Sequence, residues 1–355
     1  MEAMESALDM IDLMICPAFC VKENKIIRVN EAAKRLFLEP RMDLLPLLAS
    51  GKEEYADFHR GCLYLTLTLA GQDQGAAVTR VGDVDIFLAD EQTELRELQV
   101  LALAAQELRS PLSSVILSAD LLGKVQQTRE GRDSAARLNR GAARLQRLVC
   151  NMSDALRYSA GGHLQLRNIT AILSEIFEKA RELAATVGVS LSYQGLREDV
   201  YTLTDGEQLE RAVYNMVSNA LKFTPKGGSV EARLQKSGRQ LRLTLSDTGS
   251  GIADGILQSI FTRYLRQPSL EDSRFGLGLG MVLIRCAART HGGTVLIDRQ
   301  NPGTRISLTL AIRENPGNML RSPMLSVDYA GERDHSLLEL SDSLPPELYL
   351  PPESE

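Results

Sequence analysis

Residues 209–224 read LERAVYNMVSNALKFT, and this stretch decides how the rest of the chain is interpreted. Asn215, Asn219 and Lys222 lie at positions i, i+4 and i+7, which places them on one face of a helix. Two carboxamides and an ammonium are costly to align on a helix that otherwise faces a core. Amide oxygens suit magnesium, which takes oxygen ligands and keeps several waters, and the ammonium suits phosphate. The helix therefore predicts a site for a magnesium-bound phosphate group.

Three further blocks follow this helix in a fixed order. Residues 245–252, LSDTGSGI, bring Asp247 from a strand into a tight turn, where its carboxylate can accept the exocyclic amine of adenine. The two glycines, Gly249 and Gly251, let the backbone of that turn close on a planar ring, and Ile252 follows them as part of the same predicted site. Residues 260–266, IFTRYLR, then lead into 275–281, FGLGLGM.

The glycine run opens a helix, so its free backbone N–H groups and the helix dipole can hold phosphates. Its members are Gly276, Leu277, Gly278, Leu279 and Gly280. Thr304 begins a last strand, and its hydroxyl can reach the edge of the base. Each block alone is a weak signal, but together they predict one nucleotide pocket.

These blocks resemble, in order and in wording, the ATP-binding domain of sensor histidine kinases, within the wider ATPase group that includes gyrase-type enzymes. The resemblance implies ATP and Mg²⁺ as cofactors, with Asn219 and Asn215 as metal ligands, Lys222 on phosphate and Asp247 on adenine. It also implies Arg263 near the γ-phosphate and Gly276–Gly280 as a lid over the nucleotide.

Residues 105–112, AQELRSPL, resemble the phosphoacceptor box of the same family, His-Glu-Leu-Arg-(Ser/Thr)-Pro-Leu. Gln106 stands where the family has its histidine, and Glu107 is the acidic residue that follows. The lone pair of the glutamine amide nitrogen is delocalised into the carbonyl, whereas imidazole titrates at about 6.5 and exposes a nucleophilic nitrogen. We therefore expect magnesium-ATP binding without autophosphorylation at position 106.

Three functional hypotheses remain open at this point. The chain regulates a two-component partner, either a response regulator or a partner histidine kinase, through its nucleotide-bound shape. Alternatively, its ATP domain phosphorylates a histidine on a partner chain in trans. In the third hypothesis it is a response-regulator phosphatase, in which Ser110, one helical turn from Gln106, orients the attacking water. A gyrase-like or chaperone ATPase is disfavoured because the acceptor-box remnant and paired helices are typical of two-component signalling.

The fold class predicted is α+β multidomain. Residues 1–90 form an α/β sensor module, whose stretch 17–33 resembles the opening of a PAS domain; its strands are predicted at 18–21, 25–29, 63–69 and 83–88, with a turn at 71–75. Residues 91–160 form an antiparallel helical hairpin with a break at Gly131. The ATP-binding domain is an α/β sandwich at 165–313, with helices predicted at 169–187, 205–222 and 279–291.

The apolar stripes of the hairpin cannot be buried by two helices alone. A homodimer through residues 91–160, forming a four-helix bundle, would bury them, and packing against the chain's own domains is the alternative. The stripes comprise Leu95, Leu98, Ala102, Ala105 and Leu108 on the first helix, and Leu138, Leu145, Leu148, Met152 and Leu156 on the second.

Residues 314–355 form a proline-containing tail with nine acidic and two basic residues, which predicts disorder. The cluster Leu337–Leu340 leaves a short docking helix as an alternative. The formal net charge of −6 gives no footprint for nucleic acid. No unbroken apolar run approaches a membrane span, and the first thirty residues lack a signal architecture, so we expect a cytoplasmic protein without membrane insertion. The five scattered cysteines are interpreted as reduced thiols, with thiol-based sensing in the first 62 residues as the alternative.

Overall fold

The N-terminal module is a five-stranded antiparallel sheet with short helices on one face. The computed structural model describes residues 11–12, 14–89, 92–125, 128–252, 260, 278–313 and 334–350. The module's core contains Phe19 and Phe87, whose rings stack with centroids 4.9 Å apart. Its elements are β1 Ala18–Lys22, β2 Lys25–Val29, α1 Glu31–Lys34, α2 Lys52–Ala56, β3 Cys62–Leu69, β4 Gln72–Val81 and β5 Val84–Ala89.

Strand β4 corrects the prediction of a turn over 71–75. Only Ala70 and Gly71 turn the chain, and both have positive φ angles, 50° and 77°. The polar residues that follow belong to the exposed start of β4, which pairs with β3 from Gln72 to Thr79. Glycine and glutamine residues in that stretch resembled a loop, but backbone pairing with a neighbour outweighs strand propensity.

Helices α3 (Gln92–Val125) and α4 (Arg129–Ser159) form the predicted antiparallel hairpin. The predicted break at Gly131 is wrong, because Gly131 lies in the first turn of α4. Its N–H donates to the Thr128 hydroxyl at 3.1 Å, a side-chain cap that starts the helix. Pro111 lies inside α3, where it removes one backbone hydrogen bond without ending the helix.

Much of the hairpin's apolar surface is exposed in the single chain. Leu98 and Ala105 are buried, but Leu95 and Leu108 on α3 are exposed by 43% and 47%, and Leu145 on α4 by 53%. By length and composition alone, Leu95–Val125 also qualifies as a membrane span, with a mean hydropathy of 1.2 over its most apolar window and 6% of that window buried. The expectation from the sequence concerned unbroken apolar runs, so it stays a prediction.

The C-terminal domain packs helices against one face of a mixed sheet. The predicted helices are confirmed to within two residues at their ends, whereas β6 and β8, which form a separate two-stranded sheet, were missed. Its elements are β6 Gln165–Asn168, α5 Ile169–Thr186, β7 Ser190–Gln194, β8 Tyr201–Thr204, α6 Gly206–Phe223, β9 Ser229–Ser237, β10 Gln240–Asp247, α7 Leu279–Thr290, β11 Val295–Arg299 and β12 Thr304–Ala311.

A single ten-stranded sheet runs through the module and the C-terminal domain. Its order is β2-β1-β5-β4-β3-β11-β12-β10-β9-β7. Strands β3 and β11 join the two halves, with Tyr64 opposite Val295 and Cys62 opposite Ile297; we call this pairing the seam. Gly61, just before β3, has φ +93°, and a Cβ there would lie 2.2 Å from the carbonyl oxygen of Ile297. Only glycine allows so close an approach in this conformation.

The C-terminal residues 334–350 are ordered, which corrects the prediction of a disordered tail for this part of it. Helix α8 (His335–Glu339) is capped by Asp334 and is followed by a 3₁₀ turn, Pro346–Tyr349. Leu338, Leu340 and Leu344 are buried, because they pack on α4 and on the core of the C-terminal domain. The docking alternative for Leu337–Leu340 therefore holds. The remaining tail residues, 314–333 and 351–355, lie outside the described residues.

Candidate nucleotide site

Helix α6 places the three side chains predicted from its sequence at one cavity. Asp205 caps the helix by accepting from the N–H of Gln208 at 3.0 Å, and the apolar side of α6 packs into the domain core. The cavity has a volume of about 770 Å³, within the usual range for small-molecule sites. Ten of the predicted residues line it: Asn215, Asn219, Lys222, Asp247, Gly251, Ile252, Gly278, Leu279, Gly280 and Thr304.

Asp247 is held in a fixed orientation at the end of β10. Its Oδ1 accepts from the N–H groups of Gly249 at 2.8 Å and Thr304 at 3.2 Å, so Oδ2 is the remaining acceptor for a ligand's amine. Gly303 has φ +98°, and a Cβ there would lie 1.7 Å from the carbonyl oxygen of Asp247. Burial raises the pKa of Asp247, while the two backbone N–H donors oppose that shift.

Asn215 is engaged on both atoms of its amide. Its Nδ2 donates to the carbonyl oxygen of Arg211 at 2.8 Å, and its Oδ1 accepts from Nη2 of Arg147 at 3.0 Å. That oxygen is the atom expected to bind magnesium, so a guanidinium from α4 here contacts the predicted ligand. Asn219, which lines the same cavity half-exposed, fits a metal-bound phosphate without such a change. The described residues contain no cluster of three His, Cys, Asp or Glu side chains that could hold a metal ion.

Part of the predicted site lies outside the described residues, namely Arg263, Gly276 and Leu277. Gly278, the first residue described after them, has φ +74° and precedes α7. The cavity therefore includes the base-binding turn and the start of α7.

The hairpin walls the cavity on the side opposite the turn, which the sequence did not predict. Nine α4 residues line it, together with Val115 of α3 and Asp342 of the C-terminal segment. The signal available was Arg140, Arg144 and Arg147, spaced i, i+4 and i+7 on one helix face. The nine are Arg137, Leu138, Gly141, Ala142, Arg144, Leu145, Arg147, Leu148 and Asn151.

Gln106, Glu107 and Ser110 are all exposed on α3, and none of them lines the cavity. The neighbouring Arg109 donates to the Ser153 hydroxyl of α4 at 3.1 Å, which ties the two helices together at this level. The structure therefore does not bring the three predicted catalytic residues to the nucleotide cavity.

Residues 204–314 match the family described as histidine kinase-, DNA gyrase B- and HSP90-like ATPases. This segment therefore belongs to that family of ATPase domains. The sensor protein DivL of Caulobacter vibrioides is 31% identical to the chain over 256 residues, covering 69% of this chain and 32% of DivL. The adaptive-response sensory kinase SasA of a Synechococcus strain is 28% identical over 250 residues, covering 64% of this chain and 65% of SasA.

The chain thus spans only about a third of DivL and just under two thirds of SasA. Among solved structures, full-length ShkA in complex with AMPPNP is 24% identical to this chain, with a TM-score of 0.49. The alignment covers 61% of this chain and 47% of the ShkA chain. The family match thus covers the ATPase-like segment, and the relatives named here are a sensor protein and a sensory kinase. The family description names ATPases, so ATP is the ligand that this match suggests.

Proposed function

We propose that the chain is a sensor-kinase-like protein that binds magnesium-ATP, has lost the phosphoacceptor histidine and regulates a two-component partner. The observation that carries this proposal is the cavity that gathers Asn219, Lys222 and Asp247. An amide, an ammonium and an oriented carboxylate suit a metal-bound phosphate at one end and adenine at the other. Gln106, at the position of the acceptor, has no nucleophilic atom near neutral pH.

The test measures binding and phosphorylation separately. Titration with a fluorescent ATP analogue in the presence of Mg²⁺ should saturate, and Asn219→Ala should weaken binding at least tenfold. Gln235→Ala, an exposed side chain on β9, is the matched control and should bind normally. Incubation with γ-labelled ATP should leave no acid-labile phosphate on the chain. Absence of binding, or acid-labile phosphate on α3, would contradict the proposal.

The partner is proposed to be a response regulator or a histidine kinase. Mixing the protein with a kinase-inactive, histidine-bearing partner and labelled ATP separates two roles. Label on the partner's histidine would indicate phosphorylation in trans, whereas silence would favour regulation by shape. Loss of acyl phosphate from a response regulator that depends on Ser110 would indicate the phosphatase role.

A homodimer through the hairpin is proposed because α3 and α4 leave large apolar side chains uncovered in the single chain. Leu103 and Leu117 of α3 are exposed by 65% and 63%. A membrane is the less suitable cover, because α4 packs along α3 and carries charged side chains such as Arg132, Arg137 and Arg144. We therefore keep the cytoplasm as the proposed location. Light scattering after size exclusion should give twice the chain mass.

A PAS-like sensor role is proposed for the N-terminal module. Its five antiparallel strands and the cluster of buried side chains that they carry support a signal-receiving unit. A thermal-shift screen of small molecules tests the proposal. A compound that raises the melting temperature and binds this module supports the sensor role, and a screen that finds no such compound counts against it.

A further inference from the structure

The C-terminal segment 334–350 owes its order to the surface on which it docks. Helix α8 has five residues, and helices shorter than about 12 residues are marginal in water by themselves. Leu338 contacts Ala143 of α4, while Leu340 and Leu344 join the core of the ATPase domain. The segment therefore bridges the hairpin and the ATPase domain.

The segment binds in a groove lined by four arginines, which we call the arginine groove. These are Arg140, Arg144 and Arg147 of α4 and Arg211 of α6. Arg140 donates to the carbonyl oxygens of Ser341 at 3.2 Å and Asp342 at 3.1 Å. Arg144 contacts Oδ1 of Asp342 at 2.9 Å. The groove therefore binds two backbone carbonyl groups and a carboxylate of the segment.

Glu339 is the second carboxylate, and it is fully buried. Its Oε2 lies 3.3 Å from Nε of Arg147, and its Oε1 lies 3.0 Å from Nη1 of Arg211. A fully buried carboxylate between two guanidinium groups indicates that the groove selects an acidic segment.

The same arginines connect the segment to the nucleotide site. Arg147 also contacts Oδ2 of Asp342 at 2.8 Å, and its Nη2 donates to Oδ1 of Asn215. Asp342 itself lines the nucleotide cavity, and the positive charge of Lys222 acts on its carboxylate. With the segment docked, a carboxylate lies beside the predicted phosphate site and a guanidinium contacts the predicted metal ligand.

Several polar atoms are buried by this docking without a hydrogen-bond partner in the described structure. They include the hydroxyls of Ser341 and Ser343. Unsatisfied buried polar groups weaken an interface, because each loses its hydrogen bonds to water. The interface is thus charge-specific yet incompletely satisfied, which is the pattern of a contact that can be released.

We propose that the arginine groove is a docking site for an acidic amphipathic segment, that residues 334–350 are its resident occupant, and that this docking and magnesium-ATP binding exclude each other. The inference rests on the proposed function, since it requires a nucleotide at the cavity. A triphosphate would meet the carboxylate of Asp342, and magnesium would compete with Arg147 for Asn215. The coupling is reciprocal: the factor by which docking of the segment lowers nucleotide affinity equals the factor by which bound nucleotide lowers the docking equilibrium constant.

The test uses the full-length chain and a fluorescent, non-hydrolysable ATP analogue with Mg²⁺. Asp342→Asn, a half-exposed position, should tighten binding about tenfold, and the double variant Glu339→Gln/Asp342→Asn should tighten it further. Glu347→Gln, an exposed carboxylate of the same segment, is the control and should bind as the wild type does. Circular dichroism confirms that each variant is folded.

A synthetic peptide of residues 334–350 gives a second, independent measurement. Added to the double variant, it should weaken nucleotide binding, whereas the peptide with the same two substitutions should not. Wild-type binding that the substitutions leave unchanged or weaken overturns the inference and leaves the proposed function standing. Absence of binding by the wild type and by every variant overturns both.

Discussion

Replacing Glu339 by glutamine should release the C-terminal segment, and the size of the effect follows from its surroundings. The carboxylate is fully buried between Arg147 and Arg211, at 3.3 and 3.0 Å. Removing one partner of a buried ion pair costs about 3–5 kcal/mol when the remaining charge stays buried without compensation. Arg147 keeps its contact with Asp342, so the lower end of this range applies. An energy of about 1.4 kcal/mol corresponds to a tenfold change in an equilibrium constant, so about 3 kcal/mol should make the segment open about 140-fold more often.

Hydrogen exchange measures this opening directly, because local unfolding sets the exchange of protected amides. The amides to follow are those of Leu338, Leu340 and Leu344, which donate to backbone oxygens at 3.0–3.1 Å. Since α8 is too short to be stable by itself, their protection reports docking. We expect protection in Glu339→Gln to fall to the level of an open chain, and Glu347→Gln to behave like the wild type. Equal protection in both variants would refute the argument that Glu339 holds the segment.

Three further predictions concern the base-binding turn, the seam and the thiols. Burial raises the pKa of Asp247, so its carboxylate is protonated at a higher pH than that of an exposed aspartate. Nucleotide affinity, measured by titration at each pH, should therefore fall as the pH drops from 7 towards 4.5. Asp247→Asn should bind nucleotide about tenfold more weakly at pH 7 and should lose this pH dependence. Gly61→Ala should weaken the β3–β11 pairing by about 1–3 kcal/mol, because the added Cβ would collide with the carbonyl oxygen of Ile297. Hydrogen exchange of the Leu63 amide should become faster, with the Leu88 amide as internal reference. Unchanged exchange would contradict the close approach of Gly61 to β11. Burial raises the pKa of Cys20 to about 11, so little of its reactive thiolate is present at pH 8. Iodoacetamide at pH 8 should therefore modify the half-buried Cys16 before Cys20, as measured by mass spectrometry of tryptic peptides. The reverse order would support thiol sensing at Cys20.

The parts of the site that depend on local patterns were predictable from the sequence. Asn215, Asn219 and Lys222 are spaced by helical turns, so one helix is enough to bring them together. Asp247 and Thr304 come from strands separated by almost sixty positions, yet the order of the blocks identified both. All five line one cavity. Their roles towards ATP stay predictions.

The contacts that surround the site were not predictable in the same way, because they join segments that are distant in the chain. Arg147 and Glu339 are separated by 192 positions, and neither periodicity nor spacing relates them. An acidic, proline-containing tail also matches the composition of a disordered segment, and the arginines on α4 together with Arg211 on α6 offset the cost of burying its carboxylates. Likewise, nothing in the residues of β3 indicates that its partner is β11, since any exposed strand edge can pair with another.

The seam has a consequence for engineering chimeras. Exchanging sensors between signalling proteins relies on cutting the connecting helix and leaving both modules otherwise untouched. Here such a cut, made near the start of α3, would also strip β11 of its neighbour and expose a bare sheet edge, which invites aggregation. A foreign sensor transplanted onto this chain would need a glycine in the place of Gly61 and a strand able to complete the sheet, so the unit of exchange in this protein is larger than its linear domain boundary.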